Sequence, residues 1–230
     1  MTITTRPATA DGVLYPDSDG EPMSDNTLQF DWIVTLQGNL DALFADRPDV
    51  FVAGDLLWYP VEGNAKICTA PDAIVALGRP KGYRGSYRQW IEGGIAPQVA
   101  FEVLSPGNRV GKMLKKFRFC ERYGIEEYYI YDPDDFELSG WLREGATLEE
   151  IPEMAGWISP RLGIRFEPRP GGLEIYRPDG RRFETYLELH RRGEAAERQV
   201  VLALREAEMA HGETERLKAR LRELGVDPDA

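Results

Sequence analysis

Short apolar runs and one-sided helical stretches alternate along the chain up to about residue 180. Runs rich in β-branched and aromatic residues predict strands at 50–58, 65–69, 72–77, 99–104, 127–131, 137–143, 164–167 and 173–176. Helical spacing predicts one helix from Asp31 to Asp46, ended by Pro48, and another from Arg109 to Tyr123, ended by Gly124. Helices interleaved with strands predict an α/β fold, a mixed β-sheet flanked by helices.

Weaker local patterns refine this outline. Residues 78–94 form a Gly- and Arg-bearing stretch that predicts a long loop, with a helical turn at 86–90. Asn108 is a suitable N-cap for the second predicted helix. The apolar spacing of that helix predicts a buried stripe of Val110, Met113, Leu114 and Phe117.

From about Phe183 the pattern changes to one long helix that reaches Leu224. Apolar or small residues recur there in steps of three and four, at Val200, Ala203, Ala207, Ala210, Thr214, Leu217, Leu221 and Leu224. This heptad seam favours a short coiled coil for self-association, and a single amphipathic helix remains the alternative. We therefore predict a flexible N-terminal tail (1–24), an α/β domain (25–190) and a C-terminal helical tail (191–230).

Composition restricts the function classes. The longest apolar runs fall short of the roughly 18–20 residues of a membrane span, and the polar start lacks the apolar core of a secretory signal. We expect a cytoplasmic protein with no membrane partner. Cys68 and Cys120 are too far apart for a CxxC zinc site, and two cysteines make no disulfide framework. His190 and His211 both fall in the helical tail, which argues against Ser-His-Asp catalysis.

Charge is unevenly distributed. The whole chain carries a net charge of −11, whereas residues 79–122 contain ten basic and three acidic residues, a net charge of +7. The candidates for nucleic-acid contact in this stretch are Arg84, Arg88, Arg109 and Lys112. A basic loop and a solvated helix face would produce the same pattern, so both interpretations stay open.

Two carboxylates interrupt apolar runs. Asp72 opens the run that ends at Leu77, and Glu102 lies within the run from Val99 to Leu104. An acid in such a place is costly unless a partner or a metal ion compensates it. Strand parity puts Glu102 on the face opposite Val99, Phe101 and Val103, so it can point into a cleft. Two acids on neighbouring strands predict an oxygen site for Mg²⁺ or Mn²⁺.

The second predicted helix adds a cation. Lys116 lies at the margin of the apolar stripe, whereas Lys115 lies well round towards solvent. Lys116 is therefore better placed to reach back to Glu102, with Lys112 as the fallback. Two metal-binding acids with a lysine suit phosphodiester hydrolysis, because metal and lysine both stabilise developing negative charge. Each residue also has a structural interpretation: a turn for Asp72, an ion pair for Glu102, a solvated helix lysine for Lys116.

The ordered set of these motifs resembles a known family. Pro71-Asp72, Glu102-Val103-Leu104-Ser105-Pro106, a lysine on the next helix, the segment 123–129 and Asp132-Pro133 are similar to the restriction endonuclease domains of the PD-(D/E)XK nuclease superfamily. The resemblance covers about residues 28–180. It implies a restriction-endonuclease-like fold, Mg²⁺-dependent phosphodiester cleavage, a DNA substrate, and Asp72, Glu102 and Lys116 as catalytic residues.

The chain also departs from the superfamily pattern. Leu104 stands where the usual lysine follows the glutamate by two residues, and the resemblance moves that role to Lys116. Lys112 stands at a position that is commonly acidic in the family. Asp31 and Asp41 are the alternatives for the acid of the N-terminal helix, with Gln37 nearby.

The leading functional prediction is thus a metal-dependent DNA endonuclease that forms a homodimer or higher homo-oligomer. The alternative is a non-catalytic relative that binds DNA or a partner and oligomerises through its tail. A weaker third interpretation is a small interaction protein in which the acids form only a structural ion-pair network.

Overall fold

The computed structural model describes residues 12–18, 20, 22–107 and 110–224, with the side chain of Leu221 left out. It consists of two compact units, one ending at Phe183 and one beginning at Glu184. The elements of the first unit are α1 (Thr27–Leu43), β1 (Val50–Gly54), β2 (Trp58–Tyr59), β3 (Ala73–Leu77), β4 (Tyr87–Arg88), β5 (Val99–Val103), α2 (Val110–Tyr123), β6 (Glu127–Asp132), β7 (Glu137–Glu144), β8 (Thr147–Glu150), β9 (Arg165–Arg169) and β10 (Gly172–Tyr176). The second unit contains α3 (Tyr186–Glu223).

A six-stranded mixed sheet organises the first unit, in the order β1-β3-β5-β6-β7-β8. All neighbours in it are antiparallel except β5 and β6, which pair in parallel from Val99 with Glu127 to Val103 with Tyr131. Parallel neighbours need a crossover, and α2 provides it. The predicted mixed sheet with flanking helices is therefore confirmed.

Both faces of this sheet are covered, which decides where Glu102 can point. On one face Val99, Phe101 and Val103 pack in a cluster with the buried side of α1. On the other face Ala100 packs with Cys120 and Phe117 of α2. The predicted strand parity is confirmed, and the face that carries Glu102 lies beneath α2.

Several local predictions were wrong. Residues 65–69 do not form a strand, because their only ladder contact is one isolated bridge from Thr69 to Trp58. The predicted helical turn at 86–90 contains β4, which pairs with β2. The sequence pattern did not reveal β8, whose alternate residues are polar and exposed. Helix α1 begins at Thr27 instead of Asp31, since the Asn26 side chain caps it by accepting a hydrogen bond from the Gln29 N–H. The predicted N-cap Asn108 lies outside the described residues.

The sequence favoured a flexible tail for the first 24 residues, and part of this segment is packed. Tyr15 is buried and meets the ring of Tyr59 edge-on at 5.2 Å between centroids. The Tyr59 hydroxyl donates a hydrogen bond to the Pro16 carbonyl at 2.9 Å. Among the described residues, no helix is long and apolar enough to cross a membrane.

Candidate active site

Asp72 stands directly before β3, where the pairing of β3 with β5 ends at Ala73 and Phe101. Beyond that pair, the Asp72 Oδ2 accepts a hydrogen bond of 2.6 Å from the Val103 N–H. The side chain thus takes over a backbone donor that the ladder leaves behind, and this contact fixes it between the two strands. Asp72 is 6% exposed.

Glu102 lies within β5 and is 2% exposed. Its Oε2 accepts a hydrogen bond of 2.6 Å from the Lys116 ammonium. Its Oε1 is buried and has no hydrogen-bond partner among the described residues. The Tyr128 hydroxyl, whose pKa burial and the nearby Glu102 raise, is likewise buried without a partner. A carboxylate oxygen left in this state is costly, because it has lost water without gaining a donor.

Lys116 reaches this point from the middle of α2. Its ammonium also donates to the Ala70 carbonyl at 3.0 Å. The predicted buried stripe of α2 was partly wrong, since Val110 and Leu114 are exposed. The covered side of the helix instead runs through Lys116 and Phe117 to the buried Cys120. Lys116 is part of the side that faces the sheet, which places its cation among the acids.

Burial and charge act against each other in this cluster. Burial raises the pKa of Asp72, while the Lys116 ammonium and the Val103 N–H lower it in part. Burial also raises the pKa of Glu102, to about 8, against the attraction of Lys116. For Lys116, burial lowers the pKa, but the two carboxylates outweigh burial and the net direction is upward. Lys116 therefore stays an ammonium, and two buried acids share one cation.

The acid–lysine cluster, Asp72 with Glu102 and Lys116, opens into a cavity of about 290 Å³. Its further lining residues are Pro22, Met23, Ser24, Asp25, Gln29, Asp55, Leu57, Cys68, Thr69, Ala70, Lys112, Met113, Lys115 and Phe119. The cavity is thus walled by the segment before α1, the loop before β3 and one side of α2. Its size suits a small polar group such as a phosphodiester.

Sequence reasoning missed the residues that the N-terminal segment contributes. Gln29 of α1 donates to the Val103 carbonyl at 2.8 Å and accepts from the Asp25 N–H at 2.8 Å. The Asp25 carboxylate accepts a hydrogen bond of 2.6 Å from the Ser105 hydroxyl. The only sequence signal was the capping sequence around Asn26, which places Gln29 in the first turn of α1. The predicted alternatives lie elsewhere: Asp31 is exposed, and Asp41 pairs with Lys81 at 2.8 Å.

The predicted nucleic-acid residues do not form one surface. Lys112 is exposed at the cavity. Arg84 is committed to the fold, since it pairs with Glu92 at 2.7 Å and lies 3.9 Å over the Phe51 ring. Arg88 is half-buried in β4 and does not line the cavity, and Arg109 lies outside the described residues. Arg84 is therefore withdrawn as a DNA contact, because an engaged and mostly buried guanidinium cannot also bind a phosphate.

The donor set bears on the implied Mg²⁺ or Mn²⁺. No group of three or more His, Cys, Asp or Glu side chains in the described part of the chain could hold a metal ion. Mg²⁺, however, commonly binds proteins through one or two carboxylates and keeps several waters. The partnerless Oε1 of Glu102 and the mostly buried Asp72 are hard oxygen donors of this kind. The residues present therefore fit such an ion.

Comparisons with known proteins agree with this geometry. Among solved structures, the chain is similar to one described as a "putative nuclease belonging to DUF820" from Anabaena variabilis, with 16% identity over 59% of this chain and 72% of that chain and a TM-score of 0.44. No curated protein matches the chain. A family model described as "Uma2: Putative restriction endonuclease" matches residues 8–210. That match spans the mixed sheet, the acid–lysine cluster and the start of α3, and the chain belongs to the Uma2 family.

Proposed function

We propose that the protein is a Mg²⁺- or Mn²⁺-dependent endonuclease that hydrolyses phosphodiester bonds of DNA in the cytoplasm. The observation that carries the proposal is the hydrogen bond between Lys116 and Glu102 beside Asp72, at the wall of a cavity. The Uma2 family description supports the reaction class. The charge of Lys112 and Lys115 at the same cavity supports an anionic substrate.

Asp72 and Glu102 would hold the divalent cation, which supplies Lewis acidity towards the phosphodiester when bound. The Val103 N–H holds the Asp72 carboxylate in place, and the Ala70 carbonyl holds the Lys116 ammonium. An ammonium has three N–H donors, and two of those on Lys116 have partners among the described residues. The third can donate to a phosphate oxygen or to the attacking water.

The protonation state of Lys116 decides its role. The carboxylates of Glu102 and Asp72 outweigh the effect of burial on its pKa, so the side chain keeps its proton at neutral pH. It therefore acts as a hydrogen-bond donor and a positive charge for the transition state, and it does not act as a general base.

Calorimetric titration with Mg²⁺ and Mn²⁺ tests the metal site. We expect the wild-type protein to bind, and Asp72→Asn and Glu102→Gln to lose binding. Glu127→Gln is the matched control, since Glu127 is also a buried strand glutamate but does not line the cavity. Binding that survives in both Asp72→Asn and Glu102→Gln contradicts the proposed ligands.

A nicking assay on supercoiled plasmid with Mn²⁺ tests the reaction. We expect cleavage by the wild-type protein and by Glu127→Gln, with a loss of about a thousandfold in Glu102→Gln, because metal and transition-state charge both depend on that carboxylate. Wild-type protein that binds metal but cleaves neither duplex, single-stranded nor plasmid DNA contradicts the enzyme proposal.

A second candidate is a non-catalytic relative that binds DNA without cutting it. It is favoured by the lack of a third acidic ligand in the described part of the chain. DNA affinity without cleavage, at any divalent metal concentration, would identify this function.

A further inference from the structure

Helix α3 lacks a covered face in the single chain. It spans 38 residues, and none of its described side chains is buried. Val200 and Leu217 are each 59% exposed, and Leu224 just beyond the helix is 65% exposed. Helices in proteins gain most of their stability from packing an apolar face. A helix of this length with an exposed apolar stripe therefore needs a partner.

The stripe has the spacing of a coiled-coil seam. Val200, Ala207, Thr214 and Leu221 take the first core position of successive heptads, called a. Ala203, Ala210, Leu217 and Leu224 take the second, called d. A repeat of seven keeps one face of a helix against one partner helix, which favours another helix as the occupant over a flat surface.

The charges beside the seam identify that helix. In a parallel, in-register pair, each residue at heptad position g faces the residue five positions later, at position e, of the other copy. The charged g residues and their facing e residues are Arg192 with Glu197, Glu206 with His211, and Glu213 with Lys218. Glu213 and Lys218 are opposite in sign, as are Arg192 and Glu197, and no like charges face each other. Arg192 also has a partner in its own chain, Glu184, at 3.1 Å.

The antiparallel arrangement is less favourable. Full overlap of the two seams would place Val200 opposite Leu224 and would bring g positions against g positions. Glu213 would then face Glu213 of the second copy, in the middle of the interface. Like charges there oppose association, whereas the parallel pair turns the same residue into an attraction.

We propose that two copies of this chain associate through α3 as a parallel, in-register two-stranded coiled coil. This inference does not depend on the nuclease activity. Both helices run in the same direction, so the two chains enter the coiled coil from the same end. The small Ala and Thr side chains in the middle of the seam make the dimer reversible.

A charge-exchange experiment tests the register. Sedimentation equilibrium of the full chain measures the dimer dissociation constant for wild type, Glu213→Lys, Lys218→Glu and the double variant. We expect each single change to raise the constant by about threefold to tenfold, and the double variant to restore it. Residues five apart on one helix do not face each other, so rescue reports a contact between copies. Glu215→Lys, off the seam, is the control. A protein that is monomeric at all concentrations, or a double variant weaker than either single one, overturns the proposal.

A crosslinking experiment tests the orientation. Ala203→Cys places a thiol at the seam, where a parallel pair brings it against its own counterpart, whereas an antiparallel pair sets it opposite Leu221. Mild oxidation should give a covalent dimer on a denaturing gel. Ala219→Cys on the outer side of the helix, and the wild type with Cys68 and Cys120, should not. A dimer that crosslinks no better through Ala203→Cys than through Ala219→Cys overturns the parallel arrangement.

Discussion

Two buried glutamates on neighbouring strands differ in how their charge is met. Glu102 lies in β5 and Glu127 opens β6, and the two strands pair in parallel. Glu102 is 2% exposed and Glu127 is 0% exposed. Burial raises the pKa of both. By burial and by the direction of the pKa shift alone, the two acids look alike.

Their partners separate them. Glu127 accepts hydrogen bonds from the Tyr129 hydroxyl at 2.9 Å, the Arg161 N–H at 2.6 Å and the Ser159 hydroxyl. These donors tie β6 to the segment around residue 160, and both carboxylate oxygens are used. Glu102 has one cation, one oxygen without a partner, and a cavity beside it. A completed set of donors indicates a structural acid, whereas an incomplete set at a cavity indicates an acid that is available to a ligand.

The largest expected effect concerns the cation that only Glu102 has. Lys116→Met should lower the rate of plasmid nicking by about a hundredfold to a thousandfold, because it removes a donor for transition-state charge. Steady-state kinetics with Mn²⁺ measures this, with metal binding followed in parallel.

Lys115→Met is the matched control for this experiment, since Lys115 is exposed on the same helix. Full activity in Lys116→Met together with a loss in Lys112→Met would transfer the role to Lys112 and would contradict the distinction drawn here.

The next effect concerns the stability of the fold. Glu127→Ala should lower the free energy of unfolding by about 3 kcal/mol, because the buried donors Tyr129 and Ser159 lose their acceptor. Urea unfolding measures the change, and activity per folded molecule should stay near the wild-type value. Glu150→Ala, at an exposed strand position, should change stability by less than about 0.5 kcal/mol. If Glu127→Ala folds normally but no longer cleaves DNA, the structural role of Glu127 is wrong.

A smaller effect is the pH dependence of stability. An acid whose pKa is higher in the folded chain binds more protons when folded, so the free energy of unfolding falls as the pH rises. For Glu102 this fall should extend from its unfolded pKa, about 4.3, through its folded pKa of about 8. Urea unfolding at pH 5 and pH 8, in the presence of a metal chelator, should show a larger loss for wild type than for Glu102→Gln. Equal losses in the two proteins would contradict the raised pKa.

The smallest effect concerns DNA affinity at the cavity. Lys112→Ala should weaken DNA binding modestly and reduce the slope of log affinity against log salt by about 1, because one phosphate contact is lost. Fluorescence anisotropy at several salt concentrations measures both. Arg84→Gln is the informative contrast, since Arg84 is engaged by Glu92 and should affect stability more than the salt slope. The reverse result would return DNA contact to Arg84.

How much of this could be predicted from the sequence depends on how local each feature is. The strands that carry or flank the acids, β3, β5 and β6, follow from short apolar runs with clear boundaries. The place of Lys116 on the covered side of α2 follows from helical spacing against Glu102. The α/β fold and the family were likewise predicted and are confirmed.

Contacts between distant segments could not be predicted in this way. Gln29 meets Val103 across 74 positions, and Asp25 meets Ser105 across 80, so no local pattern records either pair. Arg84 looked like a DNA contact until Glu92 and Phe51 were seen beside it.

The sequence by itself determined which segments become strands and helices and which face each side chain takes, because backbone periodicity is a local property. Only the tertiary structure decided which buried acid is completed and which is left open. The donors that complete Glu127 come from residues 159 and 161, and the cation beside Glu102 comes from α2. A charge is stabilised by whatever the fold brings near it, and that depends on the packing of segments far apart in the chain.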